Sequence, residues 1–121
     1  MLFNFKELPS VRIPFHNYNV TKFQTAELEC NITADPAANS VQWYKNELPE
    51  FLDVPLRQEG KYNKPTVNNP NLKIFYADDK DNGYYTCTAS NVVGTSRSQM
   101  THLDVYGGNC TFDYIVTCSY S

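Results

Sequence analysis

Several features are scarce or missing, and each shortage closes a class of function. No run of apolar residues approaches the about 20 that a membrane-spanning helix needs, and the mean hydropathy is −0.50; a soluble protein is expected. Positive charge is not in excess: 10 Lys and Arg stand against 13 Asp and Glu, a net charge of −3. Nothing in that balance draws the chain to phosphates, so nucleic acid and anionic membrane are excluded as expected partners. Histidine is nearly absent. His16 and His102 lie far apart, in no metal-ligand spacing, and no serine is flanked by glycines as in a nucleophile elbow. No cofactor motif and no sign of a small-molecule substrate are found, so an enzyme is not expected. Charges interrupt the segment from Met1 to Pro9 before any signal-peptide core can form. Helical periodicity is missing too, because apolar residues nowhere recur at i, i+3, i+4 and i+7 over three turns.

What is present is alternation. A length of 121 residues fits one domain, and short segments of apolar and polar residues in alternation are punctuated by Pro, Gly, Asn and Asp. Val11 and Ile13, between Pro9 and Pro14, suit an edge strand, which Tyr18 and Val20 continue. Ala26, Leu28, Cys30 and Ile32 share one face and leave Glu27, Glu29 and Asn31 on the other. Val41, Trp43 and Lys45 alternate with Gln42 and Tyr44, and Asn46-Glu47 reads as a turn. The stretch from Leu48 to Pro70, rich in proline and asparagine, reads as irregular edge structure. Leu72, Ile74 and Tyr76 restore the alternation before the acidic turn Asp78 to Gly83. Tyr85, Cys87 and Ala89 then face one way, Asn91-Val92-Val93-Gly94 reads as a hairpin, and a strand from Ser96 to Val105 follows. The chain is predicted to be all-β.

Cys30 and Cys87 fall on the apolar faces of their strands, positions that suit a bridge through a sandwich core. Trp43 lies on an intervening strand, where its ring can pack on the sulfurs. Tyr85 stands two residues before the second Cys, after a tight turn to which its hydroxyl can bond back. Together, Cys30, Val41-Gln42-Trp43-Tyr44-Lys45-Asn46, Leu72-Lys73-Ile74, Asp81-Asn82-Gly83-Tyr84-Tyr85-Thr86-Cys87 and Ala89-Ser90-Asn91-Val92-Val93-Gly94 resemble the I-set of the immunoglobulin superfamily. The resemblance covers residues 9–106, leaving residues 1–8 as an N-terminal flank and 107–121 as a cysteine-containing tail. It implies an immunoglobulin-like β-sandwich of two antiparallel sheets with Greek-key connections, strands A, B, E and D in one and A′, G, F and C in the other. Two departures stand out: Lys22-Phe23-Gln24-Thr25 lacks the usual glycine, and the stretch from Leu48 to Pro70 is long.

Four cysteines permit three pairings. Cys110 and Cys118, if extended, would lie about 26 Å apart, far beyond the about 4.4–6.8 Å a disulfide spans. They pair within the chain only if the tail folds back; pairing with another chain stays open. The Asp78–Gly83 run superficially resembles a calcium loop, but Lys80 falls at a ligand position and Ala89 where the bidentate Glu belongs. It is expected to be a solvated turn, with no metal. Asn-x-Ser/Thr sequons at Asn19, Asn31 and Asn109 are candidate glycosylation sites.

For a partner surface, strand phase points to Gln42, Tyr44, Thr86 and Thr88 on the outward side of strands C and F, beside Val92 and Val93. Phe75 on the opposite sheet is a second candidate anchor, and Glu29 and Lys73 are expected to pair across strands B and E. The resemblance implies an extracellular protein-binding module of an adhesion molecule, receptor ectodomain or secreted immunoglobulin-like protein, its partner another cell-surface or extracellular protein or a second copy of itself. The alternative is an intracellular structural I-set domain of a muscle filament-type scaffold.

Overall fold

The computed structural model describes residues 6–47, 52–56, 59–107, 109–112 and 116–119, with the last two segments and 52–53 described by backbone alone. The strands are β1 (Ser10–Arg12), β2 (Asn17–Thr21), β3 (Ala26–Leu28), β4 (Asn31–Thr33), β5 (Ser40–Glu47), β6 (Leu52–Pro55), β7 (Leu72–Ile74), β8 (Gly83–Ser90), β9 (Thr95–Arg97), β10 (Thr101–Tyr106), β11 (Asn109–Phe112) and β12 (Val116–Ser119). One layer is ordered β2-β10-β8-β5-β6, with β9 also on β8. The other is assembled from the pairs β1–β4 and β3–β7. The edge strand β2 runs parallel to β10, whereas β1 runs antiparallel to β4. The first edge of the sequence therefore crosses from one sheet to the other at Ile13–His16.

Alternation explains how the layers meet. Ala26, Leu28 and Cys30 from one sheet and Trp43, Tyr85, Cys87, Ala89, Leu103 and Val105 from the other are buried, with Leu72 and Ile74 completing the core. Cys30 and Cys87 are joined, with Cα atoms 6.4 Å apart and a sequence separation of 57. Closing a loop of that size restricts the unfolded chain by about 4 kcal/mol in the chain-entropy account. Trp43 is buried, and its indole N–H donates to the Pro70 carbonyl at 2.7 Å, which settles the polar edge of an otherwise apolar ring. The Tyr85 hydroxyl donates to the Asp81 carbonyl at 2.6 Å. Burial, and after it the Asp81 carboxylate, holds the Tyr85 phenol well above its ordinary pKa.

Long-range side chains shape the less regular parts. Strands β3 and β4 are halves of one strand interrupted at Glu29 and Cys30. There the backbone N–H groups donate to the Tyr18 hydroxyl and to Asn71 Oδ1, both at 3.1 Å. A similar substitution breaks the last strand. The register changes from Thr88↔Arg97 to Thr101↔Tyr85, so residues 98–100 oppose two residues of β8 and form a bulge. Within it Ser98 accepts from the Cys87 N–H through its hydroxyl at 3.0 Å.

Several expectations need correction. Asn46-Glu47 is not a turn, because β5 continues through Glu47 and pairs Asn46 with Asp53 of β6. The acidic turn is not simply solvated. It is a short 3-10 turn with a capping box at Asp78, and Asp81 is buried against Lys61 Nζ at 2.6 Å. Glu29 does not face Lys73; the register pairs Lys73 with Glu27, their charged atoms 3.9 Å apart. Where the family's usual glycine is missing, Phe23 takes the left-handed conformation with φ of 74°, a geometry that costs an L-residue roughly 1–2 kcal/mol. The proline-rich stretch yields β6 and, at residues 61–63, a rim to β7: Phe75 N–H donates to the Lys61 carbonyl at 2.9 Å and Asn63 N–H to the Lys73 carbonyl at 3.2 Å.

Candidate protein-binding face

The outward side of the larger sheet is fixed by its registers. On β5 and β8, Gln42 lies opposite Thr88, Tyr44 opposite Thr86 and Asn46 opposite Tyr84. On the other side of β8, Tyr84 lies opposite His102, which in turn neighbours Asn17 of β2. The rings of Tyr84 and His102 meet edge to face, centroids 4.8 Å apart. Tyr106, half-buried, lies on the same side of β10, and Arg97 of β9 is exposed beside Thr88. Three tyrosines, His102 and Arg97 share this face with Gln42, Thr88 and the exposed Asn17, Asn19 and Asp104.

Among the residues singled out by phase, Gln42, Tyr44 and Thr88 are half-buried and available. Thr86 is not. It is 0% exposed, and its hydroxyl donates to Asn46 Oδ1 at 2.8 Å in a polar contact sealed beneath the face. Outward phase on a strand did not make it accessible, because Asn46 stays in β5 and lies alongside it. Strand phase alone would also have marked three further members: Tyr84 shares the phase of Thr86 and Thr88, and His102 and Tyr106 share the outward phase of β10.

The hairpin beside this face is held by one buried side chain. Asn91 donates through Nδ2 to the carbonyls of Glu7 and Pro36, at 2.8 and 3.0 Å. Its Oδ1 accepts from the N–H groups of Val93 and Gly94, at 2.9 and 3.2 Å. Four bonds from one amide present Val92 and Val93 at the tip, 73% and 42% exposed. Gly94 has φ of 159° and stands so close to Leu8 that an added Cβ would come within 2.9 Å of it.

The smaller sheet offers a different surface. Ser10, Arg12, Glu27, Asn31, Thr33 and Lys73 are exposed on it, all polar or charged. Phe75 does not stand out as an exposed ring; it is half-buried, and the next residue, Tyr76, at φ of 50°, is the one that projects, 74% exposed. Strand β7 ends at Ile74, so alternation no longer governs either ring. Asn19 is exposed on β2. Asn109 lies in β11, its side chain outside the described residues. The tail folds back as a hairpin of β11 and β12 whose register sets Cys110 directly opposite Cys118.

This arrangement of two layers, one buried bridge, a tryptophan upon it and a tyrosine bonded to its own corner is matched over residues 9–91 by the immunoglobulin domain family profile. The chain belongs to the immunoglobulin superfamily. It is 35% identical over 88 residues to a Lar-like tyrosine-protein phosphatase of Caenorhabditis elegans, covering 72% of this chain and 4% of that protein. It is 33% identical over 90 residues to contactin rig-6 of the same organism, covering 74% of this chain and 7% of that one. This immunoglobulin domain thus spans a small fraction of the curated relatives it matches. Among solved structures, titin M4 superposes with a TM-score of 0.67 at 24% identity, covering 84% of this chain and 98% of that one; that likeness is one of fold.

Proposed function

We propose that this immunoglobulin domain is a non-catalytic, extracellular protein-recognition module that meets its partner through the outward face of β10, β8 and β5. The observation that carries the reading is the composition of that face. Tyr44, Tyr84, Tyr106 and His102 with Arg97 bring together aromatic side chains and an arginine, residue types that dominate binding energy at protein interfaces, while the opposite face is polar and charged. The relatives in the phosphatase and contactin families support a cell-surface setting; an intracellular structural scaffold is the second reading. The register of the tail supports a second disulfide, because directly opposed residues of an antiparallel pair have Cα atoms about 4.5–5.5 Å apart, within the range a disulfide spans.

The experiment is thiol counting by mass spectrometry on protein from its natural source, followed by binding of the purified domain to intact cells. No free thiols, with Cys110 linked to Cys118, is the expected result. Four free thiols in the native protein would contradict the extracellular reading and favour the scaffold. A tail cysteine linked to another polypeptide would replace the hairpin disulfide with a covalent assembly.

A further inference from the structure

The smaller sheet carries a feature that recognition by the opposite face does not use. Asn31 is exposed on β4, with Thr33 two residues on completing its sequon. It stands at the rim of an open cup of about 480 Å³ whose lining includes Ile32, Val67, Asn69, Asn71 and Lys73. The cup is polar with an apolar patch. Asn71 spends its carbonyl oxygen on the Cys30 N–H, which orients the amide, and it lines the cup. Asn69 is anchored by its backbone N–H, which reaches the Thr66 hydroxyl at 3.1 Å and the Thr66 carbonyl at 3.1 Å. Its side-chain amide is exposed. Val67 is exposed, giving a carbon surface beside these amides.

We infer that Asn31 is glycosylated and that the first N-acetylglucosamine of its glycan lies in this cup against Asn69, Asn71 and Val67, covering the smaller sheet. The chemistry matches on each side. A sugar offers hydroxyls and an acetamido group to side-chain amides, and a carbon-rich ring face to Val67. Tethering makes weak contacts sufficient, because a covalently attached sugar samples the cup at a high effective concentration. With that sheet covered, the tyrosine-rich face is left with the Asn19 sequon at its β2 edge. The inference rests on the extracellular reading proposed above.

The test uses the full chain secreted from a eukaryotic host, alongside Asn31→Gln and the double variant Val67→Ala/Asn69→Ala, whose two side chains are exposed and removable without disturbing the core. Peptide mass spectrometry reads occupancy at residue 31, and amide NMR reads the cup. Expected are an N-acetylhexosamine-bearing peptide at Asn31 and, when native protein is compared with Asn31→Gln, amide shifts at residues 63–73 in addition to those next to residue 31. Enzymatic trimming to a single sugar should leave those shifts in place. Complete removal should lower Tm by about 2–5 °C, and the double variant should lose most of that difference. An occupied Asn31 with no shift at 63–73 would overturn the docking of the sugar. An unoccupied Asn31 in a protein glycosylated at Asn19 would overturn the inference and leave the extracellular reading intact; four free thiols in the natural protein would instead remove that reading.

Discussion

The two sheet faces of this domain are built by the same alternation around the same core, yet they differ in what they show to solvent. The face of β10, β8, β5 and β9 holds Tyr44, Tyr84, Tyr106, His102 and Arg97 above a sealed Asn46–Thr86 contact. The face of β3, β4 and β7 holds Glu27, Lys73, Asn31 and Thr33. Since the interior fixes only the inward half of each strand, the outward half is free to differ, and the proposed binding role rests on that contrast.

The comparison can be broken at its root. Trp43→Ala removes the ring that lies between the layers and the donor to Pro70, and is expected to cost about 3–5 kcal/mol; chemical denaturation should show both faces lost in one transition. A subtler break is Asn46→Ala, which strands the buried Thr86 hydroxyl under one face only. A loss of about 1–3 kcal/mol is expected, with hydrogen exchange rising in β5 and β8 and little change in β3 and β7. To sharpen the contrast, Tyr44→Ala and Tyr84→Ala should each weaken cell binding about tenfold, roughly 1.4 kcal/mol, at unaltered Tm, while Glu27→Ala leaves binding unchanged. The smallest effect belongs to the polar face: a double-mutant cycle on Glu27 and Lys73 should give a coupling of about 0.2–1 kcal/mol, falling as salt is added.

Much of this architecture was legible from residues alone, and the parts that were not share a cause. Strands around Cys30, Trp43 and Cys87 announce themselves because a buried alternation leaves a period of two in the sequence. The bridge and the tyrosine corner follow from where Cys30, Cys87 and Tyr85 fall in that period. The break between β3 and β4 left no such trace, because its replacement acceptors, Tyr18 and Asn71, come from distant segments. Asp81 looked like one acid in a solvated run until Lys61, from the stretch that read as irregular, closed over it. The outward face was half legible: phase pointed to Tyr44 and Thr88, which are half-buried, but it also offered Thr86, whose burial depends on a neighbour in another strand. Phe23 shows the converse, a position where the sequence marks a missing glycine and the backbone adopts the glycine-like conformation regardless.

The most direct test is a glycan placed on the tyrosine-rich face. Thr88→Asn, followed by Ala89 and Ser90, creates a sequon at the centre of that face by one substitution, and the secreted variant can be compared with native protein and with Asn31→Gln for binding to cells. Loss of binding for Thr88→Asn at matched folding, with binding retained by Asn31→Gln, is the result expected. Undiminished binding by a fully occupied Thr88→Asn protein would contradict the assignment of that face.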